Sequence, residues 1–107
     1  MTIDDHATVE VSGREDLRRL FGFAVDRLSE RGVTLVFEPA VIERLLIAAG
    51  NWSSSLNPVL TLRKTWDDLV GKPIEEMLID RRLQTGSHLT VGVGVDEATL
   101  RFAVRSN

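Results

Sequence analysis

The sequence predicts an α+β domain in which helices pack on one face of a small three-stranded sheet that ends in a C-terminal β-hairpin. Apolar residues recur at helical spacing in three segments. A short segment between the first two of these alternates apolar and polar residues, and the C-terminal segment alternates twice around a turn. A small sheet with one apolar face must bury that face, so the helices are expected to cover it.

The N-terminal residues are expected to precede the domain. The chain has 107 residues, close to the usual size of a single domain. We expect residues 1–11 to form a leader with a short extended segment at Thr8–Val11, and residues 12–107 to form one domain. Ser12 and Glu15 have the S-x-x-E spacing of a capping box, which predicts that the first helix begins at Ser12.

A glycine, a strand and a second helix follow the first helix. Gly32 is a natural helix stop, and Val33–Glu38 alternates as a strand with one better-buried face. Pro39 suits the first turn of a helix, where its missing N–H costs nothing. This helix is expected to end at Gly50, and its buried stripe is Val41, Ile42, Leu45, Leu46 and Ala49.

The third helical segment begins with Asn57 as the cap and Pro58 in the first turn. Its apolar register continues through Gly71-Lys72-Pro73. Because proline kinks a helix interior, we expect one bent helix or two nearly coaxial ones. Trp66 is expected in the core, and Trp52, in a serine-rich loop, is expected to be partly exposed. The apolar stripe is Val59, Leu62, Trp66, Leu69, Val70, Ile74, Met77 and Leu78.

The chain closes with two alternating segments that predict a β-hairpin with one apolar face. The turn is expected at residues 96–98. The inward residues are Leu89, Val91, Val93 and Val95 on the first strand and Leu100, Phe102 and Val104 on the second.

Composition narrows the class of protein. A net charge of −3 argues against nucleic acid as a partner, because phosphate binding needs a concentrated basic face. No apolar run approaches the roughly 20 residues that cross a bilayer, so no membrane partner is expected. There are no cysteines, which excludes disulfides and thiolate sites. The acidic N-terminus lacks the apolar core of a signal peptide, which predicts a cytoplasmic protein.

Motifs that could carry chemistry are incomplete. Gly71-Lys72 lacks the earlier glycine and the following Ser or Thr of a phosphate-binding loop. Ser53–Ser55 has no nucleophile-elbow frame and no histidine nearby in sequence. His6 and His88 have no partners at metal-ligand spacing. We therefore expect no catalytic residue, no metal or cofactor site, and no enzyme activity.

Two long stretches resemble the C-terminal small (lid) domain of the second ATPase module of Clp-type AAA+ unfoldases and disaggregases. The first is GREDLRRLFGFAVDRLSERGVTLVFEPAVIERLL (Gly13–Leu46), and the second is VGKPIEEMLIDRRLQTGSHLTVGVGVDEATLRF (Val70–Phe102). They match the family's connecting helix, first strand and second helix, and then its proline-containing last helix, pre-hairpin glycine and hairpin. The resemblance implies a Clp ATPase small-domain-like fold.

The segment between these stretches departs from the family. There the family has an aromatic-Asp-Pro loop and a Gly-Ala-Arg-Pro-Leu turn, whose arginine reaches the γ-phosphate of ATP. Counting back from Pro73, these turn positions fall on Pro58 to Leu62, and only the final leucine matches. Pro58, Val59 and Leu60 thus form a degenerate sensor turn without its arginine. Neither Walker A nor Walker B is present, so any ATPase activity would reside in another chain or domain.

Three functions follow from these observations. The first is a non-catalytic protein–protein interaction or assembly module, a stand-alone degenerate copy of the lid domain, whose partner is an AAA+ ATPase or the chain itself in a homo-oligomer. The second is the separated C-terminal domain of a full AAA+ unfoldase, supporting hexamer assembly and ATP-driven protein remodelling. The third is a small-ligand or peptide-binding α+β domain that uses the Ser53–Ser55 loop and requires a pocket beneath Trp52.

The expected interaction surface is the outer face of the hairpin. Glycines on that face would leave the backbone accessible to another chain, and an unprotected edge strand could pair with a partner. The resemblance also implies contact with a neighbouring subunit. The predicted surface residues are Thr90, Gly92, Gly94, Thr99 and Arg101.

Overall fold

A computed structural model describes residues 5–95 and 100–106, with the backbone alone for residues 5–11. The helices and strands follow one another in the order that the sequence predicts, with two short irregular helical turns among the helices. The elements are α1 (Asp5–Ser29), β1 (Thr34–Phe37), α2 (Ala40–Ala48), a 3₁₀ turn (Trp52–Ser54), α3 (Pro58–Trp66), a π-helical turn (Asp67–Gly71), α4 (Lys72–Ile79), β2 (His88–Val93) and β3 (Leu100–Arg105).

The three strands form one mixed sheet in the order β1-β2-β3. β1 runs parallel to β2, with Leu35 opposite Leu89. β2 runs antiparallel to β3, with Val91 opposite Phe102. A parallel pair needs a long crossover, and here α2, α3 and α4 supply it. The α+β class is confirmed.

The core lies between the helices and the inward face of the sheet. Apolar positions predicted on α2, β1 and β2 supply about half of it, because their side chains repeat on one face of each element. The buried apolar residues are Leu17, Leu28, Val33, Leu35, Val41, Ile42, Leu45, Leu46, Trp52, Leu62, Val70, Ile74, Leu83, Leu89 and Val91. The outward residues of β1 stay exposed, so one face of this strand is buried as predicted.

Glycine ends both of the first two helices. Gly32 has a φ of 77° and Gly50 a φ of 63°, in the left-handed region that favours glycine. After α1, the Val33 N–H donates to the Leu28 carbonyl at 2.9 Å and the Gly32 N–H donates to the Ser29 carbonyl at 2.9 Å. These two bonds form a Schellman motif and satisfy carbonyls that the helix end would leave unpaired.

The predicted secondary structure of the N-terminal residues is wrong. α1 begins at Asp5, so Thr8–Val11 is helical rather than extended and Ser12 lies inside the helix rather than at its cap. No proline lies between residues 5–11 and the apolar residues that begin at Leu17, and adding turns to an existing helix is easier than starting one. The S-x-x-E spacing also fits a helix interior, so by itself it does not mark a start. The division into residues 1–11 and a 12–107 domain stays a prediction.

The third helical segment is continuous but irregular. The Asn57 side chain accepts a hydrogen bond from the Leu60 N–H at 3.1 Å, which confirms the predicted cap. A π-helical turn then separates α3 from α4, and Pro73 falls in the first turn of α4. A first-turn proline lacks only an N–H that would have no helical partner. The chain therefore accommodates Pro73 with one wide turn. Val59, predicted on the buried stripe, is exposed.

The C-terminal strands form the predicted antiparallel pair. Leu89 and Val91 are buried, and Phe102 is half-buried against the core. Val95 lies beyond the end of β2 and is exposed, so the inward alternation stops at Val93. The turn predicted at residues 96–98 lies outside the described residues.

Candidate functional site

The predicted interaction surface on the hairpin is described for four of its five residues. Thr90 and Gly94 are half-buried and Arg101 is exposed, whereas Thr99 lies outside the described residues. Gly92 and Arg101 occupy opposed positions on β2 and β3. They therefore share the outer face, as the alternation predicts.

The expected accessibility of Gly92 is wrong. Gly92 is buried, and a Cβ added to it would lie 2.5 Å from Glu38 Oε1. Glu38 follows β1 and donates its N–H to the Val91 carbonyl at 2.9 Å, which brings its side chain to this face. Because Gly92 has no side chain, the Glu38 side chain of the same chain fits against it. The backbone at Gly92 is therefore not accessible to a second protein chain.

The residues predicted to be a degenerate sensor turn, Pro58, Val59 and Leu60, form the first turn of α3. Asn57 caps this turn, and Val59 and Leu60 project from it. Leu60 is 62% exposed and the preceding Leu56 is fully exposed. An apolar side chain cannot pair with a phosphate, so these residues supply no nucleotide contact of the kind that the family's arginine makes.

The serine-rich loop is a folded connection. Trp52 is only 6% exposed, which contradicts the prediction that it is partly exposed, whereas Trp66 is half-buried. The loop folds over α1 at Gly13, where an added Cβ would lie 2.4 Å from the tip of the Trp52 ring and 2.8 Å from Leu62. The indole therefore fills the space in which a pocket beneath Trp52 was required.

Hydrogen bonds hold this loop closed. The Ser55 hydroxyl donates to the Trp52 carbonyl at 2.7 Å and lies 3.0 Å from the Thr61 hydroxyl. The Thr61 hydroxyl in turn lies 3.1 Å from the Asn57 carbonyl. Ser55 thus has a structural role in joining the loop to α3.

A cleft that was not predicted from the sequence opens between α1 and the helical segment that contains the π turn. Its volume is about 220 Å³, and we call it the α1–α4 cleft. Its walls are mostly apolar, with three charged residues. The lining residues are Leu20, Phe23, Ala24, Arg27 and Leu28 from α1, and Trp66, Asp67, Gly71, Ile74, Glu75 and Leu78 from α3, the π turn and α4.

Trp66 connects this cleft to the core. Its ring centroid lies 5.1 Å from that of Phe21 and 5.6 Å from that of Phe37. Phe21 and Phe37 stack on each other with centroids 4.2 Å apart. A ring held by two aromatic neighbours loses little further freedom when something binds against it. Trp66 is half-buried because one side of its ring packs against the core and the other side lines the cleft.

Two sequence features lie at this cleft and could have indicated it. Phe23 is 69% exposed, an unusual position for a large aromatic side chain. It lies outside the apolar stripe of α1, which consists of Leu17, Leu20, Phe21, Ala24, Val25 and Leu28. Gly71-Lys72-Pro73, which predicts a kink, lies in the structure at a π turn, a feature that often accompanies functional sites. A Cβ on Gly71 would lie 2.9 Å from Asp67 Oδ1, so the glycine lets this carboxylate lie against the helix.

The resolved pKa shifts belong to surface ion pairs. Arg14 donates hydrogen bonds to both carboxylate oxygens of Glu43, and this holds the pKa of Glu43 below its ordinary value. A hydrogen bond from Lys72 to Asp68 at 3.2 Å raises the pKa of Lys72. Arg63 also donates to Asp16 at 3.3 Å. The Arg14 and Arg63 pairs join α1 to α2 and to α3.

In the described part of the chain, no group of three or more His, Asp or Glu side chains is placed to hold a metal ion. Within the same residues, no helix has both the length and the apolar character needed to cross a membrane. Comparison of the sequence with protein-family models gave no match, and comparison with curated proteins gave none either.

Proposed function

We propose that this chain is a non-catalytic protein–protein interaction or assembly module, related in design to the lid domain of Clp-type AAA+ chaperones. The observation that carries the proposal is the group of large apolar side chains that the folded domain leaves on its surface. Phe23, Leu56 and Leu60 are all more than half exposed, and Phe23 borders the α1–α4 cleft. Apolar side chains that a fold leaves in water are available to a partner, and contiguous ones commonly mark sites where another protein binds.

The order of elements also supports the relation to the lid domain. The resemblance implies a connecting helix, a strand, a second helix, a long proline-containing helix and a hairpin, and the chain has these elements in this order. The partner that the resemblance favours is an AAA+ ATPase or a second copy of the chain. A cytoplasmic location is part of this proposal, and a sequence without cysteine is compatible with it.

The main alternative is the separated C-terminal domain of a full AAA+ unfoldase. In that case the chain would support hexamer assembly, and the ATPase activity would reside in its partner. Leu60 stands where the family's sensing arginine is expected and is exposed at the start of α3. This replacement favours the stand-alone module, since a working ATPase would need the arginine.

The third function is less well supported. Binding of a small ligand through Ser53–Ser55 required a pocket beneath Trp52, and the indole is packed against Gly13 there. Peptide binding remains compatible with the fold, at the α1–α4 cleft rather than at the serine-rich loop.

The test combines light scattering with affinity capture. We expect the purified chain either to self-associate at micromolar concentration or to capture one reproducible protein, identified by quantitative mass spectrometry. Replacing Phe23 or Leu60 by serine should reduce that association, because each substitution removes exposed apolar area without disturbing the core. Replacing Ile47, which is 72% exposed on α2, by serine is the control.

Two results would contradict the proposal. One is a monomer that captures nothing reproducibly; the other is ATP hydrolysis by the chain alone. Capture of an AAA+ protein whose ATPase rate or hexamer assembly requires the chain would instead favour the separated-domain alternative.

A further inference from the structure

The α1–α4 cleft has the size of a site for one side chain. An apolar cavity of about 150 Å³ holds a benzene molecule, whereas sites for drug-sized ligands usually exceed about 300 Å³. At about 220 Å³ this cleft accommodates one aromatic ring or one large aliphatic side chain. Protein interfaces use such pockets to receive a single anchoring residue.

The walls of the cleft suit an apolar anchor. Leu20, Ala24 and Leu28 form the α1 side, and Ile74 and Leu78 form the α4 side. Phe23 stands at the border with most of its side chain in water. A partner side chain in the cleft would remove apolar surface on both helices from water at once.

The charged residues that line the cleft indicate the charge of the partner. Asp67 and Glu75 line it, against the single cation Arg27. Lys72 pairs with the neighbouring Asp68 and its charge also acts on Asp67, whereas Glu75 forms no ion pair among the described residues. The chain as a whole also carries a net charge of −3. A basic partner is therefore attracted, and an acidic one is repelled.

We infer that the α1–α4 cleft is the docking site of a basic protein segment, which inserts one large apolar side chain between α1 and α4 and places a lysine or arginine beside Asp67 and Glu75. This inference rests on the proposed function and names the chemistry of its partner. The Trp66 ring, held by Phe21 and Phe37, is the fixed wall against which the inserted side chain packs.

The first experiment defines the ligand with a probe of unbiased sequence. A phage-displayed library of random heptapeptides is selected on the immobilised full chain, and the most enriched peptide is synthesised. We expect enriched peptides to share one Phe, Leu, Ile or Met with Lys or Arg next to it or one position further. Binding should weaken as the salt concentration rises, because the charges lie at an exposed border.

The two tryptophans locate the binding. In a ¹⁵N-correlated NMR spectrum of the chain, the peptide should shift the indole N–H signal of Trp66, which lines the cleft. The signal of Trp52, buried between the serine-rich loop and α1, should stay in place. The second tryptophan is thus an internal control in the same sample.

Paired variants then test the charge and the apolar border. Glu75→Lys should weaken peptide binding by about tenfold or more, whereas Glu76→Lys, on an exposed residue of α4 that does not line the cleft, should change it by less than about twofold. Phe23→Ser should weaken binding by about tenfold, against Ile47→Ser as the matched loss of an exposed apolar residue on α2. Circular dichroism verifies that each variant is folded.

Four results would overturn the inference: no enrichment of any peptide, enriched peptides without a basic residue, a shift of Trp52 rather than Trp66, or equal effects of the two glutamate variants. A concentration-dependent Trp66 shift without peptide would show that a second copy occupies the cleft, which also overturns it. If Leu60→Ser abolishes capture of the partner and Glu75→Lys does not, the interaction module stands and the cleft is not its site.

Discussion

Gly13 decides where the serine-rich loop lies. It is buried in α1, and the ring tip of Trp52 occupies the space that any other residue's Cβ would need. Glycine is normally a poor helix residue because of its backbone freedom, so its presence inside α1 is explained by this close approach. Trp52 reaches the core through that gap, and Trp66 is left at the border of the cleft.

The same substitution at two glycines of α1 should have opposite effects. Gly13→Ala should lower the free energy of unfolding by about 1–3 kcal/mol, because the methyl group overpacks Trp52 and Leu62. Gly22→Ala should raise it by about 0.5–1 kcal/mol, since nothing lies within 4 Å of the added Cβ and alanine favours the helix. Urea denaturation of the two variants measures both changes. A stabilising Gly13→Ala would show that the Trp52 ring does not rest against Gly13.

The two tryptophans should differ in their contribution to stability. Trp52→Ala should cost about 3–5 kcal/mol, the usual range for truncating a fully buried large side chain. Trp66→Ala should cost less, because Trp66 is half-buried and a part of its surface already contacts water. Equilibrium unfolding in urea gives both values. If the Trp66 variant were the less stable of the two, Trp52 would not be the more deeply buried tryptophan.

At the scale of elements, the π turn shows how the chain accommodates a proline without ending a helix. Asp67–Gly71 forms one wide turn, and α4 starts afresh at Lys72 with Pro73 in its first turn. The apolar register continues on both sides, with Leu62 buried before the turn and Val70 and Ile74 buried within and after it. The wide turn also brings Asp67 and Gly71 to the cleft.

The contact between α1 and α2 includes an ion pair that should depend on pH. Glu43 is 57% exposed on its side chain, so its pair with Arg14 should contribute only about 0.2–1 kcal/mol. The pKa of Glu43 is lowered in the folded protein, chiefly by the hydrogen bond from Arg14, so this contribution is present above the ordinary glutamate value of 4.5 and is lost as the pH falls through the lowered pKa.

Glu43→Gln should therefore destabilise the protein slightly at pH 7 and have no effect at low pH, where wild-type Glu43 is also neutral. Thermal unfolding at several pH values measures the difference. Glu76→Gln, on an exposed residue outside the ion pairs of the described chain, is the control. A cost of Glu43→Gln that stayed constant down to the lowest pH would show that the Arg14 pair does not contribute through the charge of Glu43.

At the scale of the molecule, one core joins every layer. Leu17 from α1, Leu45 from α2, Leu62 from α3 and Leu89 from β2 are completely buried in a single cluster. β2 lies at the centre of the sheet, between a parallel and an antiparallel neighbour, and both α1 and α2 lie against the sheet. No layer can separate without exposing this core.

Unfolding should therefore be a single transition. Tryptophan fluorescence reports the serine-rich loop and the cleft, and far-ultraviolet circular dichroism reports the helices. Their urea midpoints should coincide, as expected for one cooperative domain of this size. Two separated midpoints would contradict the prediction that residues 12–107 form one domain.

The sequence by itself determined the order of elements, the caps at Asn57 and Gly32, and most of the core. These features depend on local chemistry: a side chain that accepts a backbone N–H, a glycine that tolerates positive φ, and apolar residues repeated at the period of a helix or strand. Only the tertiary structure decided that Trp52 is buried at Gly13, that Glu38 covers Gly92, and that α1 and the π turn border a cleft. Each of these depends on two segments far apart in the chain, and residue spacing within either segment does not encode how closely they meet.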